Sequence, residues 1–214
     1  MITPIKNSHQ RIKPQAQPTA FTTITMSCTR RFVAEDLFKF NNVNLDYYTE
    51  TYNLPFYFQY LAYWPEFFLC VNHCIDTSRP GTMMGYVMGK AEGDLWNKEN
   101  PNPKKWHGHV TALTVAPEYR RLGVANKLMN YLEEVSDFIH KAYFVDLFVR
   151  VSNSVAIGMY EKFGYKVYRT VLGYYSGEEN GYDMRKAIVS RDPKKESEVP
   201  LPKPIKPYQL DETL

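Results

Sequence analysis

The sequence predicts an α/β fold, a mixed β-sheet with helices on both faces. Three observations predict it. From residue 107 onward the apolar patterns run strand, helix, strand, helix, strand. Ahead of them, a helical and aromatic-rich region gives way to a pair of β-rich runs. The chain has 214 residues with 44% apolar content, enough for one ordinary domain with a sizeable core.

Taken in order, residues 28–34, "CTRRFVA", read as a first strand, and "AEDLFKFNNVNL" as a helix carrying Leu37, Phe40 and Val43 on one side. Residues 47–68 hold eleven aromatics, and Pro55 and Pro65 bracket a helix of about three turns within them. A helix aromatic on nearly all sides has to be covered on nearly all sides. Part of it is therefore expected to meet a partner or a peptide, beside the simpler reading of a buried helix. "FFLCVNHC" and "MMGYVMGKA" read as antiparallel strands around the turn-rich "DTSRPG", and residues 92–106 as a polar loop. "HGHVTALTVA" is the next strand. The helix after it places Leu122, Leu128, Met129, Leu132, Val135 and Ile139 at three-to-four spacing. "YFVDLFVRV" is a strand. "NSVAIGMYEKFGY" is a short helix with Ser152 or Asn153 at its start and Gly164 just past its end. "KVYRTVLGYY" and "YDMRKAI" complete the sheet.

Residues 1–26 are expected to form a disordered extension, 27–188 the folded domain and 189–214 an extended Pro- and Lys-rich tail. The extension is basic and lacks acidic residues until Glu35. Pro4, Pro14 and Pro18 nevertheless oppose the amphipathic helix of a mitochondrial presequence, and Met26 is an alternative start. A net charge of +3 is too mild for general nucleic-acid binding. No apolar run approaches the roughly 20 residues that cross a bilayer. Cys28, Cys70 and Cys74 are odd in number and lack a CxxC pair. That argues against a disulfide framework and for a reducing compartment, and no metal site is expected from Cys70, His73 and Cys74.

The chemistry concentrates in "VAPEYRRLGVANKLM". A helix start offers unpaired N–H groups and a positive dipole end. Glycine lets the backbone approach an anion closely, and arginine bonds phosphate oxygens. Arg120, Arg121, Gly123 and Ala125 bring these features together, with Val124 between them. The competing reading is a solvated basic turn that starts a helix. There is no GxGxxG after a strand, and "GYVMGK" is one residue short of P-loop spacing.

Arg-x-x-Gly-x-Ala after "LTVAPEY", followed downstream by "NSVAIGMYEKFGY", resembles the Gcn5-related N-acetyltransferases. "DLFKFNNVNLD", "TETYNLPFYFQYLAYWPE", "GYVMGKAEG", "WHGHVTALTVAPEYRRLG", "FVDLFVRVSN" and "YDMRKA" extend the resemblance to catalytic subunits of the NatB type across roughly residues 26–210. Segments near "NHCIDTSRPG" and "NKENPNPKK" depart from that pattern in length.

The resemblance implies a mostly antiparallel twisted sheet with a V-shaped splay at an acetyl-CoA site. It implies that backbone near Leu113, Thr114 and Val115 binds pantetheine, that the loop from Arg120 to Ala125 holds the pyrophosphate, and that Asn153 contacts CoA or merely caps its helix. Tyr160 falls at the general acid's position, otherwise a half-buried core tyrosine. His109, Glu50, Tyr52, Tyr174 and Tyr175 fall in the peptide site, with His109 and Tyr174 near the chemistry. Their ordinary readings are a structural strand histidine, a helix-capping acid and plain strand tyrosines.

The implied activity is acetylation of the α-amino group of nascent chains starting Met-Asp, Met-Glu, Met-Asn or Met-Gln, in the cytoplasm. Acetyl-CoA is the cosubstrate and no metal is used. The implied partner is a large helical-repeat auxiliary subunit that docks on ribosomes, with no membrane and no direct nucleic-acid contact. The alternatives are an acetyltransferase for lysine side chains or small amines, and a non-catalytic acetyl-CoA-binding scaffold. The latter has no need of Tyr160 together with the Arg-x-x-Gly-x-Ala loop.

Overall fold

β4 (His107–Val115) organises the molecule, because its two edges are treated differently. One edge pairs antiparallel with β3 (Met83–Glu92) along nearly its whole length. The other pairs with β5 (Phe144–Arg150), in parallel, and only from His107 to Val110. The computed structural model describes residues 27–74, 81–93 and 103–210. β1 (Ser27–Arg31), β2 (Leu69–His73), β6 (Lys166–Tyr175) and β7 (Glu179–Ala187) complete one sheet in the order β1-β2-β3-β4-β5-β7-β6. The β4–β5 pair is parallel and the other neighbours are antiparallel, which is the mixed, mostly antiparallel sheet that the sequence implies.

Side chains alternate across a strand, so the two faces of β2 feed two cores. Leu69 and Val71 join Val87, Leu128, Met129, Leu132 and Leu147 beneath α2 (Val124–Glu134) and α3 (Ser154–Lys162). Phe68 and Cys70 join Phe32, Leu37, Phe40, Tyr57, Tyr60 and Tyr86 on the side of α1 (Leu54–Tyr63). α1 begins where the Asn53 side chain accepts from the Phe56 N–H (3.0 Å), and it stops before Pro65, which disfavours helical backbone in the residue ahead of it.

Three expectations change. The helix read over residues 34–45 is two 3₁₀ turns, Ala34–Phe38 and Asn41–Val43. Leu37, Phe40 and Val43 are buried as its periodicity required, so burial, not helix type, was the legible quantity. In the second helix Leu122 precedes the first turn and is exposed, and Val124 takes the inward place. At its far end a π turn, Val135–Ile139, takes an extra residue into the turn and shifts the faces that follow. It buries Ser136, whose hydroxyl donates to the Leu132 carbonyl (2.9 Å), and turns Ile139 outward. The third change concerns sulfur. Cys28 and Cys74 are disulfide-bonded, with Cα atoms 6.2 Å apart. Register explains it: Cys28 lies opposite Asn72, so a residue just past the end of β2 comes within bridging distance, which sequence spacing alone does not reveal. Cys70 is free and buried.

Beyond β7 the chain stays on the domain. Asp192 is buried and accepts from the N–H groups of Glu196 and Ser197, the Ser197 hydroxyl and the Tyr143 hydroxyl. The chain then runs beside β6. Leu172 N–H donates to Ile205 C=O (2.8 Å) and Ile205 N–H to Thr170 C=O (3.0 Å), covering part of that edge. The expected extension 1–26, residues 75–80 with all of the "DTSRPG" turn but Gly81, and most of the polar loop, 94–102, lie outside the described residues.

Candidate active site

Past Val110 and Leu147 the parallel strands separate, and β4 has no β5 partner there. Ala116 N–H bonds Met84 C=O (2.9 Å), and antiparallel pairs alternate, so Thr114 and Ala112 also direct their backbone groups to β3. Leu113 and Val115 therefore turn theirs into the opening. Thr114, grouped with them by resemblance, faces the other way. The Val115 carbonyl accepts from Arg120 Nε (3.2 Å).

The gap leads to the start of α2. Gly123 is its N-cap at φ +80°, in the left-handed region where glycine is favoured, and no side chain caps it. The first helix bond runs from Lys127 N–H to Gly123 C=O (3.0 Å), so the amides of Val124, Ala125 and Asn126 have no intrahelical acceptor. A Cβ at Gly123 would meet nothing within 4 Å, so no protein atom crowds this turn at that point. Arg120 binds Asp46 (2.5 Å) and is not free to turn to a phosphate while that pair holds; Arg121 is exposed. The arginine expectation thus divides, with Arg120 fixing the loop and Arg121 beside the open amides.

α3 borders the same face. The Asn153 side chain accepts from Ala156 N–H (3.1 Å), so it caps the helix. Tyr160, about two turns further on, is buried near Tyr165 (ring centroids 6.0 Å apart). Its hydroxyl has no hydrogen-bond partner among the described residues, and burial alone pushes its pKa upward. It therefore stays protonated through the neutral range and has a proton to give.

The opposite face carries the aromatic wall. Tyr174 stacks on Phe148 (4.4 Å) and meets Tyr175 edge-on (5.0 Å). Arg150 lies over the Tyr175 ring (4.2 Å) and bonds Glu50 (2.5 Å) and Glu179 (2.9 Å). Glu50 thereby ties its loop to β5. Tyr52 stacks on Phe56 (4.3 Å), and its hydroxyl points to the Thr111 carbonyl (3.4 Å). Thr111 is the extra residue of a β4 bulge, since Met88 pairs with Ala112 and Gly89 with Val110. Burial raises the pKa of Tyr52, Tyr174 and Tyr175.

His109 sits one pair before the strands part, opposite Asp146 of β5. Its Nδ1 lies 2.8 Å from Asp146 Oδ1. The other carboxylate oxygen lies 3.5 Å from Nε2 of the fully buried His107, whose Nδ1 meets the Lys105 carbonyl at 2.7 Å. Burial opposes charge on Asp146, but the imidazoles of His107 and His109 outweigh it and hold the carboxyl far below its usual range. Burial likewise opposes charge on His107, and Asp146 and Glu92 reverse that and raise it.

The structure thus links His109, Tyr174, Tyr175 and Glu50 through Phe148 and Arg150, with Tyr52 reaching the same strand at Thr111, and it packs Leu113, Val115, Val124 and Tyr160 into the core on the side of α2 and α3. Sequence reasoning missed Asp146, Phe148, Arg150 and Asp46. The signal for Asp146 was present: an acid inside the apolar run "FVDLFV" must be paired where the strand is buried.

Residues 37–165 match the acetyltransferase (GNAT) family. The chain is 56% identical over 187 residues to the N-terminal acetyltransferase B complex catalytic subunit NAA20 of Arabidopsis thaliana, covering 87% of this chain and 99% of that relative. Among solved structures it is similar to Chaetomium thermophilum Naa20 in complex with a bisubstrate analogue, with a TM-score of 0.73 at 41% identity over 85% of this chain and 97% of that one. It is also similar to a chain of the NatB acetyltransferase complex bound to CoA and MES, with a TM-score of 0.63 at 41% identity over 75% and 98%.

Proposed function

Since this chain belongs to the GNAT acetyltransferases and, within them, to the catalytic subunits of NatB N-terminal acetyltransferases, we propose that it moves acetyl from acetyl-CoA to the α-amino group of chains starting Met-Asp, Met-Glu, Met-Asn or Met-Gln. The observation that carries this reading is the gap between β4 and β5. It opens to the uncapped α2 start and Tyr160 on one face, and to His109 with its aromatic wall on the other.

In this reading the pyrophosphate lies on the amides that follow Gly123, with Arg121 alongside, and pantetheine runs along Leu113 and Val115 in the place of a strand. Asn153 shapes this face by capping α3. The backbone N–H groups in the gap polarise the thioester carbonyl. The peptide amine attacks the carbonyl carbon, a C–N bond forms and the C–S bond breaks. The departing sulfur takes its proton from the Tyr160 hydroxyl, the amine gives up one of its own to water, and water returns a proton to Tyr160, so that no net proton is gained or lost. An α-amino group, with pKa near 8, is neutral often enough for this at physiological pH.

The methionine side chain lies against Tyr52 and Phe56, His109 bonds the second side chain, and Tyr174 and Tyr175 line the far wall, with Glu50 fixed over it by Arg150. Leu54 and Phe58, one turn apart, leave an apolar strip of α1 exposed, and Phe38, Leu45 and Tyr63 are exposed as well. That is a suitable contact for a helical-repeat auxiliary subunit, which would bring the enzyme to nascent chains at ribosomes in the cytoplasm.

The test is steady-state acetylation of five peptides. Met-Asp and Met-Asn starts should react. Met-Leu, Met-Lys and Ser-Ala should fail, because they leave a buried hydrogen-bonding group unpaired at a cost of about 1–3 kcal/mol, and Ser-Ala also leaves the aromatic pocket empty. Equal rates for Met-Leu or an internal lysine would remove the substrate assignment and leave the family alone.

A further inference from the structure

The peptide-side wall contains a buried charged layer that none of the roles above requires. Asp146 is 1% exposed and sits in an otherwise apolar strand, with an imidazole at each carboxylate oxygen: His109 Nδ1 at 2.8 Å and His107 Nε2 at 3.5 Å. A carboxylate can only accept hydrogen bonds, so the contact with His109 requires a hydrogen on Nδ1. With Nδ1 committed, Nε2 is the one ring position that can gain or lose a proton. The His109 side chain is 12% exposed, and Nδ1 faces the buried acid, so the opposite edge with Nε2 is what reaches the gap.

We infer that Asp146 is a positioning residue that makes His109 a proton-dependent reader of the substrate's second side chain, with His107 holding Asp146 from behind. This rests on the substrate reading above. With a proton, Nε2 donates to a carboxylate or carboxamide oxygen. Without it, Nε2 accepts from a carboxamide N–H and repels a carboxylate. One histidine therefore accepts both an acid and its amide, and the preference between them depends on pH.

The surrounding charges belong to every neighbouring strand. Glu92 of β3 lies 3.8 Å from His109 Nδ1 and is itself paired with Lys90. Arg185 of β7 acts on Asp146 and bonds Asp183 at 3.1 Å, and Tyr174 of β6 adds a neutral hydroxyl near the same acid. From α1, the Tyr60 hydroxyl accepts from Thr111 (2.8 Å) and lies near Lys90. His107 acts on Asp146 by charge across 3.5 Å rather than by a hydrogen bond, and its ring is stacked on Phe144 (4.6 Å, 2° between planes).

The full-length enzyme with acetyl-CoA tests this on two peptides that differ only in Met-Asp or Met-Asn at the start. The ratio of their kcat/KM values cancels the titration of the α-amino group that the two share. As pH rises the wild-type ratio should fall by about tenfold, the scale of one charge-assisted hydrogen bond. In Asp146→Asn the amide can donate to Nδ1 as readily as accept from it, so the tautomer is released. The neutral ring can then also present N–H to the substrate, so the ratio should vary less with pH than in the wild type while acetyl-CoA affinity stays at the wild-type value.

A flat wild-type ratio overturns the inference and leaves the substrate reading intact. An unchanged pH profile in a folded, acetyl-CoA-binding Asp146→Asn overturns the role of Asp146. Turnover of neither peptide overturns both. Should Asp146→Asn fail to fold, ¹⁵N imidazole spectra of the wild-type protein decide. The neutral His109 ring should carry its hydrogen on Nδ1, and a ring with hydrogen on Nε2 would sink the assignment.

Discussion

At the scale of single residues, burial sorts the tyrosines. Tyr160 is held protonated by burial and donates to nothing among the described residues, which suits a group whose proton is needed only as sulfur departs. Tyr160→Phe keeps the ring packing and removes the proton. It should lower kcat by about 10²–10⁴ and leave the acetyl-CoA dissociation constant nearly unchanged, as read by steady-state kinetics and calorimetry. Glu92 illustrates the opposite balance. Burial would raise its pKa, but His107, His109 and Lys90 bring it from 4.5 down to about 2. A carboxyl lowered in the folded state contributes stability that is present above the unfolded value and lost as pH falls through the folded one. Thermal unfolding followed from pH 5 to pH 2 should therefore show a steep fall in Tm in the wild type. Glu92→Gln should start less stable and fall less. Of these residues, Tyr160 and His109 were legible as motif positions. Asp146 and Glu92 were not, because their importance lies in what a neighbouring strand places beside them.

At the scale of elements, the strands and helices were legible where period and punctuation agreed. "NLPFYFQYLAYWP" carries its own cap and stop, and Gly123 and Gly164 mark a helix start and end at φ +80° and +96°. The 3₁₀ turns of residues 34–43 and the π turn at 135–139 were not legible. Each keeps the apolar spacing roughly helical while changing the rotation per residue, and packing against the sheet decides which rotation wins. The Gly123 turn gives a graded test. A methyl group there meets no protein atom, so Gly123→Ala should lose only about 1–2 kcal/mol through its left-handed backbone and still bind acetyl-CoA. Gly123→Trp fills the space over the amides and should abolish binding in a protein that remains folded. Calorimetry showing wild-type affinity in that variant would remove the phosphate assignment.

At the scale of the whole molecule, the sheet depends on both of its ends. The tail covers the β6 edge through Leu201 and Ile205, and Glu198 accepts from Ala187 N–H at 3.0 Å. None of this was legible in a segment whose prolines and lysines read only as an extended run, because Leu201 and Ile205 bond through their backbone and the strand amide that Glu198 accepts from is brought to it only by the fold. Ending the chain at Val189 should expose unpaired strand edge. Light scattering should then show concentration-dependent association that the full chain lacks, and a monodisperse truncated protein would argue that the tail is dispensable. The separation of β4 from β5 also has a logistical side. In the proposed function it joins two faces of the sheet through one slot, with the carrier entering on the side of α2 and α3 and the polypeptide on the side of α1. A chain end and a fresh carrier would then arrive by different doors, and neither would have to back out to let the other pass.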